Sequence, residues 1–376
     1  MTYVALIWIV VELTNSPRAV AILLILYTAP VIFGGFLAGH FLDRYDRRKV
    51  MIIDNTIRGL AVLSIPVSSV LGFFTVWVLY VVATVYGFLF MISLAGLPSI
   101  LPDILEERHL NSANSLEQVT WTLSGVLGLP LAGFLITALG ARNIMVIDAL
   151  SYAVYVVALL SFRIQPKSPK ADDKEQVATL SDAFHFFRTN KLLLSITLMF
   201  MSFNVGEGFL MLSLPFLARS AGGPTIYGIL LGTIAVGQVV GLGVSTRFLI
   251  HKPLGRLIYT FQVLSGLILL VITIRNVYWI YGASLFLFGL FSGPLTSWAQ
   301  TLRMRIIPDQ IRGRTFAMLR TFMQFSSPIG SGLAGWLFPI IGFIPMIGFS
   351  SVFIAAPGAM CSQIKAMNQT TSAQNK

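Results

Sequence analysis

Between Ala19 and Phe41 the chain carries no charged residue, and between Gly59 and Pro102 it carries none again. A helix that crosses a bilayer needs roughly 20 mostly apolar residues, and in lipid every backbone polar group must bond within its own segment. The pattern therefore predicts eleven membrane-crossing helices, near residues 19–41, 51–71, 74–98, 119–140, 143–162, 192–217, 225–246, 257–275, 277–301, 317–340 and 343–363. Inside 59–102 and 321–364 only Ser/Gly turns separate neighbouring spans. At the start, YVALIWIVV (Tyr3–Val11) is apolar but about half a span long, and it reads as the tail end of a first helix. It has neither the basic leader nor the small-residue cleavage site of a signal peptide.

Composition sharpens this picture. Charged residues make up 11% of the 376 and hydrophobic residues 56%, with a mean hydropathy of +0.81; an average soluble domain has about 25% charged residues. Such a chain could not cover its own surface in water. The net charge of +11 is spread over alternate loops, and Lys and Arg accumulate on the cytoplasmic side of short loops. One side holds Arg44, Arg47, Arg48, Lys49, Arg58, Arg108, the segment Arg163–Lys191, Arg247, Lys252, Arg256 and the group Arg303–Arg320; the other holds Arg18, Arg142, Arg219 and Arg275. The first set is expected in the cytoplasm, for a multi-pass protein of the plasma (inner) membrane. Charge scattered in this way reflects topology and does not mark a nucleic-acid partner.

A repeat organises the chain. LPDILEERHLNSANSLEQVTWTLSGVLGLPLAGFL begins at Leu101 and IPDQIRGRTFAMLRTFMQFSSPIGSGLAGWL at Ile307. Pro102 and Asp103 match Pro308 and Asp309, and Leu131, Ala132 and Gly133 match Leu333, Ala334 and Gly335; each copy reads as a loop running into a helix. Like-oriented halves suit a transporter built from parallel repeats. The expected organisation is a helix bundle at 1–162, a cytoplasmic linker at 163–190 with a short amphipathic helix around Leu180–Phe187, a second bundle at 191–364 and a cytoplasmic tail at 365–376.

The segment GHFLDRYDRRKV supplies Gly39, Asp43, Arg44, Arg47 and Arg48 in the pattern G-x-x-x-D-R-x-x-R-R. This resembles the signature loop of the major facilitator superfamily. ELTNSP, DRYDRRKV, PDILEERHLNSANSL and PDQIRGRTFA together are similar to the branch of macrolide and enterobactin exporters, over most of the chain from Val11 to about Gly342. The resemblance implies an all-α polytopic fold of two six-helix bundles, working as a secondary exporter that uses a proton gradient. It also implies a cytoplasmic latch at Gly39, Asp43, Arg44, Arg47 and Arg48. An anion at a helix C-terminus is disfavoured by roughly 0.3–1 kcal/mol, so Asp43 should seek a cation or the positive end of span eleven. Orientation-setting positive charge alone is the plainer reading of the same residues. Asp46 stands where many relatives have glycine.

Ionisable groups inside a membrane are costly and mark function. Glu207 falls near the middle of span seven, between Gly206 and Gly208 and on one face with Asn204. The resemblance places that span along the central cavity, where burial disfavours a bare carboxylate and so favours proton exchange. Asp148 and Asp54 are further coupling candidates. Asp54 also stands four residues before Arg58, the spacing of a structural ion pair, and Glu12 reads as a solvated helix end.

Gly125, Pro130 and Gly133 fit half of an antiporter signature, G-x-x-x-G-P-x-x-G-G, or else a close-packed helix with a proline bend; Leu129 and Phe134 replace two of its glycines. GFLAG (Gly35–Gly39), GQVVG (Gly237–Gly241) and GLFSG (Gly289–Gly293) are small-residue faces that let helices approach closely, and they argue packing inside a monomer. The chain has no phosphate-cradling G-x-x-x-x-G-K-[ST], no metal-ligand spacing among His40, His109, His185 and His251, and a single cysteine, Cys361. No cofactor, metal or enzymatic centre is expected. The expected function is proton-coupled export of a hydrophobic or amphipathic small molecule; a transport-inactive membrane scaffold or truncated product and facilitated nutrient uptake are the alternatives.

Overall fold

The structure, a computed structural model, describes residues 1–105, 107–161, 180–248, 253–274, 277–364 and 367. The stretch 163–179 of the predicted linker and nearly all of the tail lie outside the described residues.

The chain opens with α1 (Thr2–Thr14), and the ELTNSP motif acts as a stop and a restart. Asn15, at φ 46°, returns its amide to the Val11 carbonyl, Ser16 caps the next helix by accepting from the Ala19 amide, and Pro17 takes the first helical position. There follow α2 (Pro17–Thr28) and α3 (Pro30–Arg44), which run together as one span over Pro17–Gly35, with a turn at Ala29 where Pro30 offers no N–H. Then come α4 (Arg47–Val70), α5 (Val76–Ile104), α6 (Glu107–Val126), α7 (Gly128–Leu139) and α8 (Ala141–Ser161). The linker helix is α9 (Leu180–Thr189), and it is followed by α10 (Lys191–Ala221), α11 (Pro224–Phe248), α12 (Leu254–Ile274), α13 (Tyr278–Ile306), α14 (Arg312–Ile341) and α15 (Phe343–Cys361).

Among the described residues nine helices are long and apolar enough to cross a membrane, and α6 with α7, bent by 42°, makes a tenth. The eleventh expected crossing is α14, long enough at 30 residues but more polar. The bend in the fifth span falls at Leu127, ahead of Pro130, which takes a first-turn position of α7 where a proline is tolerated. The first repeat copy also differs from the expectation of a loop, since Pro102 and Asp103 belong to the end of α5. In the second copy a short 3-10 turn at Asp309–Ile311 precedes α14. Both copies end alike: α7 stops at Gly140 (φ 83°) and α14 at Gly342 (φ 76°), each nine positions after the leucine of the shared Leu-Ala-Gly. Only glycine holds such a conformation without strain.

The chain forms two compact units, Met1–Asp172 with Pro215–Ile229, and Asp173–Leu214 with Leu230–Lys376. In the first, α1 is apolar on all sides and Val4 to Val11 are each buried, which makes it a core helix. It packs against α2, α5, α7 and α8, while α4 lies along α8 and α3 along α5. In the second, α12 packs between α13 and α15, and α9 lays Phe187 on Phe322 of α14 with ring centroids 5.6 Å apart. Cys361 is buried at the end of α15. The outside is apolar: Leu150, Val154, Val157 and Leu160 form a bare stripe on α8, the face a lipid tail would meet.

The small-residue faces pack within the chain. Gly237 of α11 lies against Gly289 and the Phe286 carbonyl of α13, and Gly241 against Leu290. A side chain at Gly237 would strike backbone, which has nowhere to move. Gly237→Leu is expected to cost more than the roughly 1–3 kcal/mol of ordinary overpacking, read as loss of the monodisperse peak in fluorescence-detected size exclusion; a parental profile would contradict this helix contact.

Candidate coupling and substrate sites

In the first unit, α4 presents Asp54 and Arg58 one turn apart, 1% and 3% exposed. Arg58 Nη2 donates to Asp54 Oδ2 at 2.7 Å and Nε to Oδ1 at 3.2 Å, a two-pronged pair. Ser93 of α5 donates to the same carboxylate at 2.7 Å and accepts from Arg58, and the Leu89 carbonyl takes a further Arg58 bond at 3.3 Å. The guanidinium lies over the Tyr86 ring, 5.1 Å from its centre. Tyr152 of α8 donates to the Tyr86 hydroxyl at 2.9 Å, and Tyr27 stacks on Tyr86. One turn before Tyr152, Asp148 is buried and accepts from Thr2 of α1. Asp54 and Asp148 are thus both engaged, and the polar assembly ties α1, α4, α5 and α8 together. Spacing along one helix reveals Asp54 with Arg58; Ser93, Tyr86 and Tyr152 arrive from other helices and leave no local signal.

In the second unit, Phe200, Asn204 and Glu207 follow one face of α10. Asn204 Nδ2 donates to the Met323 carbonyl of α14 at 2.8 Å. Gly206 and Gly208 bring α10 against α15 at Ser350 and Ile354 and against α14 at Gly330 and Ser331. Ser350 donates to the Gly206 carbonyl at 2.7 Å, and the buried Gln262 of α12 bridges the Met199 and Ile354 carbonyls at 3.1 and 3.0 Å. Glu207, between these packed glycines, is half-buried and has neither hydrogen bond nor ion pair among the described residues.

Arg303 corrects the sequence reading. Expected among the cytoplasmic loop positives, it lies inside α13 and is 4% exposed. Its guanidinium is 5.0 Å from the Phe200 ring centre, Nη2 meets Met323 Sδ at 3.3 Å, and Nε has no hydrogen-bond partner among the described residues. The helix α13 runs past the expected end of this span at residue 301, through Arg303 and Arg305 to Ile306.

In the signature hairpin, Asp46 caps α4, its Oδ1 accepting from the Arg48 and Lys49 amides at 2.9 and 3.2 Å. Aspartate is among the residues favoured at such a cap. Arg48 reaches the end of α8, donating from Nε and Nη2 to the Leu159 and Leu160 carbonyls, both at 2.7 Å; a cation there complements the helix terminus. Arg44 is exposed and Arg47 half-buried. Gly39 and Asp43 are part of α3, and the placement of the Asp43 side chain lies outside what is described. Gly125 is half-buried in α6, and Gly133 of α7 packs against Gly228 and the Pro224 carbonyl.

Helical spans with apolar outer faces and buried charges inside them describe a multi-pass membrane protein. The chain belongs to the transmembrane secretion effector family of the major facilitator superfamily, whose profile matches residues 1–374. It is 25% identical over 388 residues to the uncharacterized MFS-type transporter YkuC of Bacillus subtilis, covering 92% of this chain and 85% of that one. It is 22% identical to the multidrug efflux pump Tap of Mycolicibacterium fortuitum (89% and 84% covered) and 24% to the enterobactin exporter EntS of Salmonella typhi (86% and 78% covered). A crystal structure of the nucleoside transporter NupG shares the fold, with a TM-score of 0.75 at 13% identity, covering 96% of this chain and 94% of that one. These relatives support a general role in export.

Proposed function

We propose that the protein is a monomeric secondary exporter that moves hydrophobic or amphipathic small molecules out of the cell by alternating access, in exchange for protons. The observation that carries this reading is Glu207, an intramembrane carboxyl without a partner among the described residues, on the helix face that also holds Asn204. Such a group is costly unless it is used. Asp54 and Asp148 already have partners and serve as structure. The relatives named as an efflux pump and an enterobactin exporter support export over uptake, and the pairing of GQVVG with GLFSG inside one chain favours a monomer. The test is dye export from everted vesicles: collapse of the proton gradient should stop it, and export that persists without a gradient would refute antiport.

Gly39, Asp43, Arg44, Arg47 and Arg48 form, in this reading, a latch that favours the state closed to the cytoplasm. Asp43→Asn should raise thiol labelling of single cysteines introduced on the cytoplasmic side several-fold. Equal labelling of variant and parent would leave the hairpin with capping and orientation alone.

A further inference from the structure

A cavity of about 440 Å³ lies beside the crossing of α11 and α13, inside the second unit, lined by Gln238, Leu242, Ser292, Thr296, Ser297 and Gln300. Its size suits a drug-sized molecule or a large part of one. The glycine contacts create it: Gly293 receives the backbone of Gln238, which brings that side chain beside Ser292. On α13, Ser292, Thr296 and Gln300 recur every fourth residue and so share a face; Thr296, Ser297 and Gln300 are exposed. Yet they fall within a helix otherwise apolar enough to span the membrane. Unpaired polar groups facing lipid would be costly, so this face meets water or a ligand.

The lining carries no charge, and the side chains of Gln238, Thr296, Ser297 and Gln300 have no hydrogen-bond partner among the described residues. Each glutamine offers two donors and an acceptor, and each hydroxyl one donor and two acceptor sites. Nothing in the lining compensates a buried cation or anion, which in low dielectric would need a counter-charge. Leu242 and the apolar outer faces nearby suit a greasy frame.

We propose that this groove seats the uncharged polar part of the substrate: hydroxyl, carbonyl or amide groups on an apolar molecule, read by Gln238 and Gln300. The assignment rests on the export reading and narrows its substrate class to neutral polar amphiphiles. The test uses purified full-length protein in lipid nanodiscs, with two radiolabelled probes, a neutral hydroxylated macrocyclic lactone and tetraphenylphosphonium. The lactone should bind, and Gln238→Leu with Gln300→Leu should weaken it about tenfold or more, the worth of two hydrogen bonds at about 1 kcal/mol each. Thr296→Val with Ser297→Ala, a gentler change, should weaken it less but measurably, and phosphonium binding should respond to neither pair. No lactone binding, unchanged affinity in both pairs, or equal losses for both probes would overturn the assignment. Export of phosphonium from vesicles without lactone binding would sink the groove and keep the export reading; lactone binding that needs the glutamines, with no transport of it, would do the reverse.

Discussion

Glu207→Gln is expected to reduce export against a concentration gradient to background while the protein folds, inserts and still exchanges substrate downhill. Glutamine keeps the size and the hydrogen-bonding reach of the carboxyl but cannot take up and release a proton, so only the coupling is removed. The surroundings make the substitution mild for the fold: Glu207 has no partner to lose among the described residues, and the packing on either side depends on Gly206 and Gly208, which remain. Everted vesicles with an imposed proton gradient, compared with counterflow at equal pH, separate the two activities. Full gradient-driven export by the variant would remove Glu207 from the mechanism.

Arg58→Leu should have the largest effect on stability. It leaves Asp54 buried with Ser93 and Asn55 as its remaining hydrogen-bond donors, and removing one partner of a buried ion pair costs about 3–5 kcal/mol. For a unit of this size that is a fall of about 10 °C or more in the unfolding midpoint, measurable by thermal shift in detergent. Adding Asp54→Asn should recover most of the loss, because replacing a buried pair by neutral groups is often nearly free. The double variant also discriminates between the carboxyls. If it is stable and still exports against a gradient, Asp54 is structural; stable but uncoupled protein would move the coupling role from Glu207 to Asp54.

The crossings were legible because lipid imposes a length and a composition on every span, and the uncharged runs of 19–41 and 59–102 satisfy both. Irregularities inside crossings were less so: the turn before Pro30 and the bend at Leu127 depend on which backbone bonds neighbouring helices can replace. The Asp54–Arg58 pair was legible because both ends belong to one helix. Arg303 was misplaced for the opposite reason. A charge normally ends a span, and only the Phe200 ring and the Met323 sulfur, distant in sequence, let a guanidinium lie inside α13. The same distance in sequence hid the hydroxyl of Ser93 and the amide bridge of Gln262. For the polar face of α13, the spacing of Ser292, Thr296 and Gln300 was present all along, but it gained meaning only when α11 brought Gln238 alongside.

The burial of Cys361 has a practical consequence. With the chain's one native thiol shielded at the end of α15, water-soluble reagents meet little background reactivity. Paired nitroxide labels could therefore be introduced on an unmodified parent, and pulsed electron paramagnetic resonance could follow the transport cycle as a set of interspin distances.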